Sequence, residues 1–102
     1  MSITKKFLKS KPVCKVTFKV DSSFVENAEK VALVGEFNAW NPTEGEMQKL
    51  KDGSFRATLD LETGKEYQYR FLVNGQIWIT DDEADKVVPA GVGQEKNSVV
   101  QL

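Results

Sequence analysis

The stretch Glu66-Tyr67-Gln68-Tyr69-Arg70-Phe71-Leu72-Val73-Asn74-Gly75 decides what kind of fold this chain can adopt. Tyr67, Tyr69, Phe71 and Val73 occupy every second position, so in an extended strand they form one core face while Gln68 and Arg70 face the other way. The run ends on Asn74-Gly75, the strongest short hairpin signal, because a two-residue type I′ turn needs two left-handed residues. Gln76-Ile77-Trp78-Ile79-Thr80 is therefore expected to pair back onto it. If Ile77 and Ile79 point into the core, Trp78 points out, onto the outer face that also carries Arg70.

The same period of two recurs in both directions from this hairpin, and no stretch carries a sustained helical stripe. Ser54 to Leu61 places Phe55, Ala57, Leu59 and Leu61 inward, and Asp52-Gly53 before it marks a turn from a short strand at Met47-Gln48-Lys49-Leu50. A first strand at about residues 12–20 sets Cys14, Val16, Phe18 and Val20 on one face, and Lys30 to Val34 reads as a central strand. Between those two, residues 21–28 form a polar connection with room for one helical turn, and Asn97 to Leu102 closes the domain. Seven to eight short strands with turns at this spacing imply an all-β, immunoglobulin-like two-sheet sandwich.

Composition limits what such a sandwich can do. The length, 102 residues, is that of one domain, with residues 12–102 as the sandwich and residues 1–11, carrying Lys5, Lys6, Lys9 and Lys11, as a solvated basic arm. Fourteen basic residues against fifteen acidic ones leave a net charge of -1, so no global field favours nucleic acid. The single Cys14 excludes an intramolecular disulfide and reads as a buried, inert thiol. No apolar leader or membrane-length segment is present, which makes a cytoplasmic protein that spans no membrane the expectation.

Histidine is missing, which removes Ser-His-Asp and Cys-His mechanisms and any imidazole ligand for zinc. None of the seven glycines falls in a phosphate-cradling spacing. Asp81-Asp82-Glu83-Ala84-Asp85 could supply a glycosidase pair from Asp81 and Asp85, or a hard-cation site. Neighbouring acids in an exposed loop do not have their pKa values driven apart, however, so this run reads as a solvated turn. A non-catalytic protein without metal or cofactor is the expectation.

What remains is aromatic chemistry. Gly35-Glu36-Phe37-Asn38-Ala39-Trp40-Asn41-Pro42 puts one of only two tryptophans in a loop. Two readings of Trp40 stand side by side: a plug over the end of the sandwich, or a ligand platform. Trp78 and Arg70 supply the second half of a platform, since an exposed ring stacks on the C–H face of a sugar while arginine and amide groups bond its hydroxyls. A protein interface is the alternative, because tryptophan and arginine are both enriched there.

The order Val34-Gly35-Glu36-Phe37-Asn38-Ala39-Trp40, Asp52-Gly53-Ser54-Phe55, Gly64-Lys65-Glu66-Tyr67-Gln68-Tyr69-Arg70-Phe71 through Asn74-Gly75, and Asn97-Ser98-Val99-Val100 resembles carbohydrate-binding module family 48 over roughly residues 12–102. That is the early-set sandwich found beside the catalytic domains of isoamylases and branching enzymes and as the glycogen-binding domain of AMP-activated kinase β subunits. The resemblance implies binding of an α-glucan such as glycogen, starch or a maltooligosaccharide. Trp40, Arg70, Trp78 and Asn97 fall on the family's sugar contacts, with Val92, Gln94 and Glu95 in the loop before the last strand.

This sequence departs from the family pattern in three places. Arg70 stands where a lysine is usual, Ile77 adds a residue before Trp78, and the loop from Gly91 to Lys96 is one residue longer and charged. The chain also reads as a whole protein without an attached enzyme. It would then bind glucan by itself, serve a protein partner such as a glucan-active enzyme, or act through multivalency as a homo-oligomer.

Overall fold

The structure is a computed structural model that describes residues 1–102 except Glu26, Asp82 and residues 92–94. Among the described residues nine strands form in chain order: β1 (Ser2–Phe7), β2 (Val13–Val20), β3 (Val31–Gly35), β4 (Gln48–Lys49), β5 (Phe55–Glu62), β6 (Glu66–Val73), β7 (Ile77–Ile79), β8 (Lys86–Pro89) and β9 (Lys96–Gln101). One antiparallel sheet has the order β1-β2-β5-β4; the other has β3-β6-β9-β8, with β7 paired to the far end of β6. The two-sheet sandwich implied by the alternation is what forms. The connection after β2 contains a single 3-10 turn at Ser22–Phe24.

The core lies where the alternation puts it. Cys14, Val16, Phe18 and Val20 of β2 are fully buried and face Tyr69, Phe71 and Val73 of β6, along with Phe55 and Leu61 of β5. Tyr69 stands edge-on to both Phe18 (5.1 Å between centroids) and Phe71 (5.7 Å), a contact worth something beyond the area it buries. Asn74 and Gly75 both take positive φ, 51° and 69°, as the type I′ turn requires. The Asn74 Oδ1 also accepts the N–H groups of Glu29 and Lys30, which fastens the β6–β7 hairpin to the start of β3.

Four local expectations change. The solvated arm expected over residues 1–11 is instead largely a strand: residues 2–7 form β1, in register with β2 from Ser2↔Lys19 to Phe7↔Cys14. Its Lys5 shares the inward face with Ile3, opposite Val16, and donates to Asp85 (2.7 Å) and to the Gln101 carbonyl (2.9 Å) of the other sheet. An inward lysine on an edge strand both joins the two sheets there and discourages another strand from adding.

Within the acidic run, Asp81 is only 1% exposed rather than solvated. Its Oδ2 accepts the Tyr69 hydroxyl (3.0 Å), its Oδ1 accepts the Glu83 N–H, and its own N–H donates to Ser98 Oγ (2.6 Å). Burial, and then the neighbouring Asp81 charge, push the Tyr69 hydroxyl well above the usual phenol range, so it remains a donor. Ile77, expected in the core, is 59% exposed because β7 extends beyond the end of the sandwich, whereas Ile79 does pack on the core. Finally, β8 is a strand that no alternation announced, its residues Lys86 to Pro89 covering the edge of β9.

Candidate functional site

Strand β6 presents Gln68, Arg70 and Leu72 on the outer face of the second sheet, flanked by Ala32 and Val34 of β3 and by Asn97 and Val99 of β9. This outer face has an apolar floor: Val34, Leu72 and Val99 are all buried. Something must therefore cover it, and at one end the covering group is the loop that carries Trp40.

The loop is shaped by its backbone. Gly35 ends β3 so close to β6 that a Cβ there would lie 2.5 Å from the Gln68 carbonyl oxygen and 2.8 Å from the Tyr69 Cβ, which is why glycine is required. A 3-10 turn follows at Glu36–Asn38. The Asn38 side chain then closes the loop from both sides, its Oδ1 accepting the Gly35 N–H (3.1 Å) and its Nδ2 donating to the Leu33 carbonyl (2.9 Å). Ala39 and Trp40 are both left-handed, φ 55° and 59°, at a cost of roughly 1–2 kcal/mol each for non-glycine residues. The Trp40 N–H bonds back to the Gly35 carbonyl (2.9 Å). Such strain persists only where the surroundings hold it in place, and it gathers at functional sites.

Which residue plugs the sandwich is thereby settled. Phe37, not Trp40, turns into the core, with its ring 6.0 Å from Phe18 and 6.3 Å from Tyr67. Trp40, half-buried, lines an open cleft of ≈ 360 Å³ on the outer face together with Glu36, Gln68, Arg70, Ala90, Glu95 and Asn97.

Arg70 is the centre of this cleft. Its side chain is only 15% exposed, its guanidinium lies 5.0 Å from the centroid of the Trp78 ring, and it approaches the Glu95 carboxylate at 3.7 Å. The cation–π contact pins the ring that the register Leu72↔Trp78 brings beside Arg70, while Trp78 itself stays 43% exposed. On the other side, Asn97 Nδ2 donates to Gln68 Oε1 (3.0 Å), and the Gln68 N–H is taken by Glu36 Oε1 (2.7 Å) because β3 has already ended at Gly35. Among the described residues, Arg70 Nε and Asn97 Oδ1 have no hydrogen-bond partner.

Of the residues singled out from the sequence, Trp40, Arg70, Glu95 and Asn97 thus share one cleft, and Trp78 joins it through Arg70. Val92 and Gln94 lie outside the described residues. Reading the sequence alone does not assign Glu36 and Gln68 to the site. The outward parity of Gln68 was a signal that could have found it, whereas the reach of Glu36 back to β6 depends on where β3 stops. The arrangement offers aromatic surface, amide and guanidinium donors, and two carboxylate acceptors.

Comparison with known proteins gives the same direction. The model of carbohydrate-binding module 48, the isoamylase N-terminal domain, matches residues 9–88. The chain is 38% identical over 74 residues to the 5'-AMP-activated protein kinase subunit beta-1 of Sus scrofa, a stretch covering 72% of this chain and 55% of that subunit. It is also 40% identical over 48 residues to the 1,4-alpha-glucan branching enzyme GlgB of Photobacterium profundum, covering 46% of this chain and 7% of that enzyme. The chain thus corresponds to about half of the kinase subunit and a small part of the branching enzyme. Since the family model runs from ahead of β2 into β8, through strands of both sheets and the whole Trp40 loop, this chain belongs to carbohydrate-binding module family 48.

Proposed function

We propose that this protein binds α-glucan without transforming it, and that the cleft between the Trp40 loop and the β6–β7 hairpin is where the sugar rests. The observation that carries this reading is the Arg70 guanidinium held between the Trp78 ring and Glu95 within the cleft that Trp40 lines. Trp40 and Trp78 offer ring faces to glucose units; Arg70, Gln68 and Asn97 bond hydroxyl groups, and the carboxylates of Glu36 and Glu95 accept from them. Arg70 has a second role in this scheme, as the positioning residue that keeps the Trp78 ring in one orientation before the sugar arrives. The cleft is open, so affinity for a single chain end is modest.

Native electrophoresis in gels containing glycogen tests this reading. The wild-type protein is expected to be retarded, Trp40→Ala and Trp78→Ala to migrate as in gels without glycogen, and Arg70→Lys to be retarded partially. Wild-type migration that ignores glycogen would sink the proposal.

One observation favours a second reading. Ile77 and Trp78 are both exposed at the tip of the hairpin, on opposite faces of β7, and a sugar platform has no use for Ile77. A protein partner, or a second copy of the chain, would cover both. A sedimentation coefficient that shifts with concentration and is abolished by Ile77→Ser would favour that reading over the first.

A further inference from the structure

A groove larger than the cleft at Arg70 lies elsewhere on the described molecule. It runs along the open edge of β5, has a volume of ≈ 490 Å³, and lies between Ala57, Leu59 and Leu61 on one side and Leu33, Phe37 and the Glu44–Glu46 segment on the other. Its origin is a change of sheet. The segment after the Trp40 loop first pairs with β3, through Leu33 N–H to Gly45 O (2.7 Å) and Met47 N–H to Val31 O (2.8 Å), and then crosses to β5 as β4. There it makes only two pairs, Gln48↔Arg56 and Lys49↔Phe55, and leaves the edge.

The direction of the unpaired backbone follows from period two. Thr63 N–H bonds to Pro12 O, on the β2 side, while Ser54 O accepts from Leu50 on the β4 side. Even-numbered residues of β5 therefore point their N–H and C=O groups away from β2. Arg56 is used by β4, and the Glu62 carbonyl accepts the Tyr67 hydroxyl (3.0 Å). Between them, among the described residues, the N–H and C=O of both Thr58 and Asp60 have no strand beside them. Two other exposed edges are treated differently: β1 is guarded by the inward Lys5, and β8 is four residues long and ends in Pro89. The β5 edge carries neither device.

We propose that this edge receives an extended peptide segment of a partner protein, added as a strand to β5, with apolar residues at alternate positions and lysine or arginine between them. The backbone supplies four hydrogen-bonding groups from Thr58 and Asp60, and the half-buried Phe37, Ala57 and Leu59 supply the apolar wall for the inward side chains. Charge selects the occupant. Glu44, Glu46 and Asp60 line the groove against one base, Arg56, whose guanidinium is engaged with Gln48 Oε1 (3.3 Å). A second copy of β5 would bring Arg56 together with another Asp60, and so no net positive charge to set against Glu44, Glu46 and Asp60, whereas a cationic strand supplies it.

The test is a titration of the 15N-labelled chain with an end-blocked seven-residue peptide of alternating lysine and valine, followed by amide NMR. Saturable shifts of the Thr58 and Asp60 amides are expected, weakening as salt rises, with no response to the glutamate–valine counterpart. Thr58→Pro removes one free N–H at a position where edge geometry tolerates proline, and is expected to abolish the shift of the Asp60 amide, which that variant retains, while leaving glycogen retardation unchanged. Should that variant fail to fold, the peptide N-methylated at alternate residues replaces it and is expected not to bind. Charge reversal by Glu44→Lys with Glu46→Lys should weaken binding by about tenfold at low salt, as expected for two exposed ion pairs.

The proposal is overturned by an absence of shifts at Thr58 and Asp60 up to about 1 mM peptide, a concentration at which weak encounters are still visible. It is equally overturned by undiminished binding of the N-methylated or glutamate peptide, by shifts confined to Trp40 and Trp78, or by dilution-dependent shifts at Thr58 and Asp60 without peptide, which would give the edge to a second copy.

Discussion

One strand, β6, builds two very different surfaces. On its inner side Tyr69 and Phe71 are fully buried against Phe18, and the one polar atom taken inside, the Tyr69 hydroxyl, is matched to Asp81, which is in turn held by Ser98 and Glu83. On its outer side Arg70 and Gln68 stand above an equally buried floor of Val34, Leu72 and Val99, yet their polar atoms are only partly engaged and the ring beside them is open to water. The inner face is closed because every polar group entering it must find a partner. The outer face keeps hydrogen-bonding capacity in reserve, as a surface for a hydroxylated ligand requires.

The contrast can be broken most severely at Phe71. Phe71→Ala is expected to cost about 3–5 kcal/mol in urea unfolding because the space cannot collapse between two sheets, whereas Trp78→Ala one strand away costs less than about 1 kcal/mol and removes glycogen retardation instead. Gly35→Ala connects the two faces. Its Cβ would meet the Gln68 carbonyl and the Tyr69 Cβ, neither of which can yield as a side-chain tip can, so a loss of about 3 kcal/mol is expected, together with weaker glycogen retardation because Trp40 hangs from the same backbone.

Tyr69→Phe sharpens the picture of the inner face. Removing the hydroxyl leaves a buried Asp81 oxygen without its donor, and calorimetry should show a loss of about 1–3 kcal/mol with glycogen retardation unchanged. The smallest effect is expected at Asp85. Burial alone would raise its carboxyl, but the Gln101 N–H and the Lys5 ammonium hold it below the ordinary value of 3.8. A depressed native pKa contributes stability that is present above the unfolded value and is lost as pH falls through the native one. Acid unfolding of the wild type below about pH 4 should therefore steepen relative to Asp85→Asn, by under about 1 kcal/mol for so accessible a pair.

The sandwich was legible because period two is a local property. Each run of alternating residues commits its strand to one inward face whatever its partner turns out to be, so β2, β5 and β6 formed with the predicted faces. Much of the candidate site was legible for the same reason: parity turned Arg70 and Trp78 outward, and the structure brings them into contact. Other features depend on neighbours far along the chain. Residues 2–7 carry too little apolar patterning to read as a strand, and β1 forms because β2 presents an open edge. Asp81 reads as a polar turn residue until Tyr69 and Ser98 arrive to bury it. Ile77 reads as core until the hairpin is seen to extend past the end of the sheets.

By itself, then, the sequence determined that the chain is all-β and which face of each principal strand turns inward, since these follow from residue type and alternation alone. Only the tertiary structure decided that Phe37 plugs the core while Trp40 lines the cleft, that Glu36 and Gln68 belong beside Arg70, and that the edge of β5 is left open. Those outcomes rest on where one strand ends against another, and a strand's end is set by long-range packing and hydrogen bonding that no local pattern records.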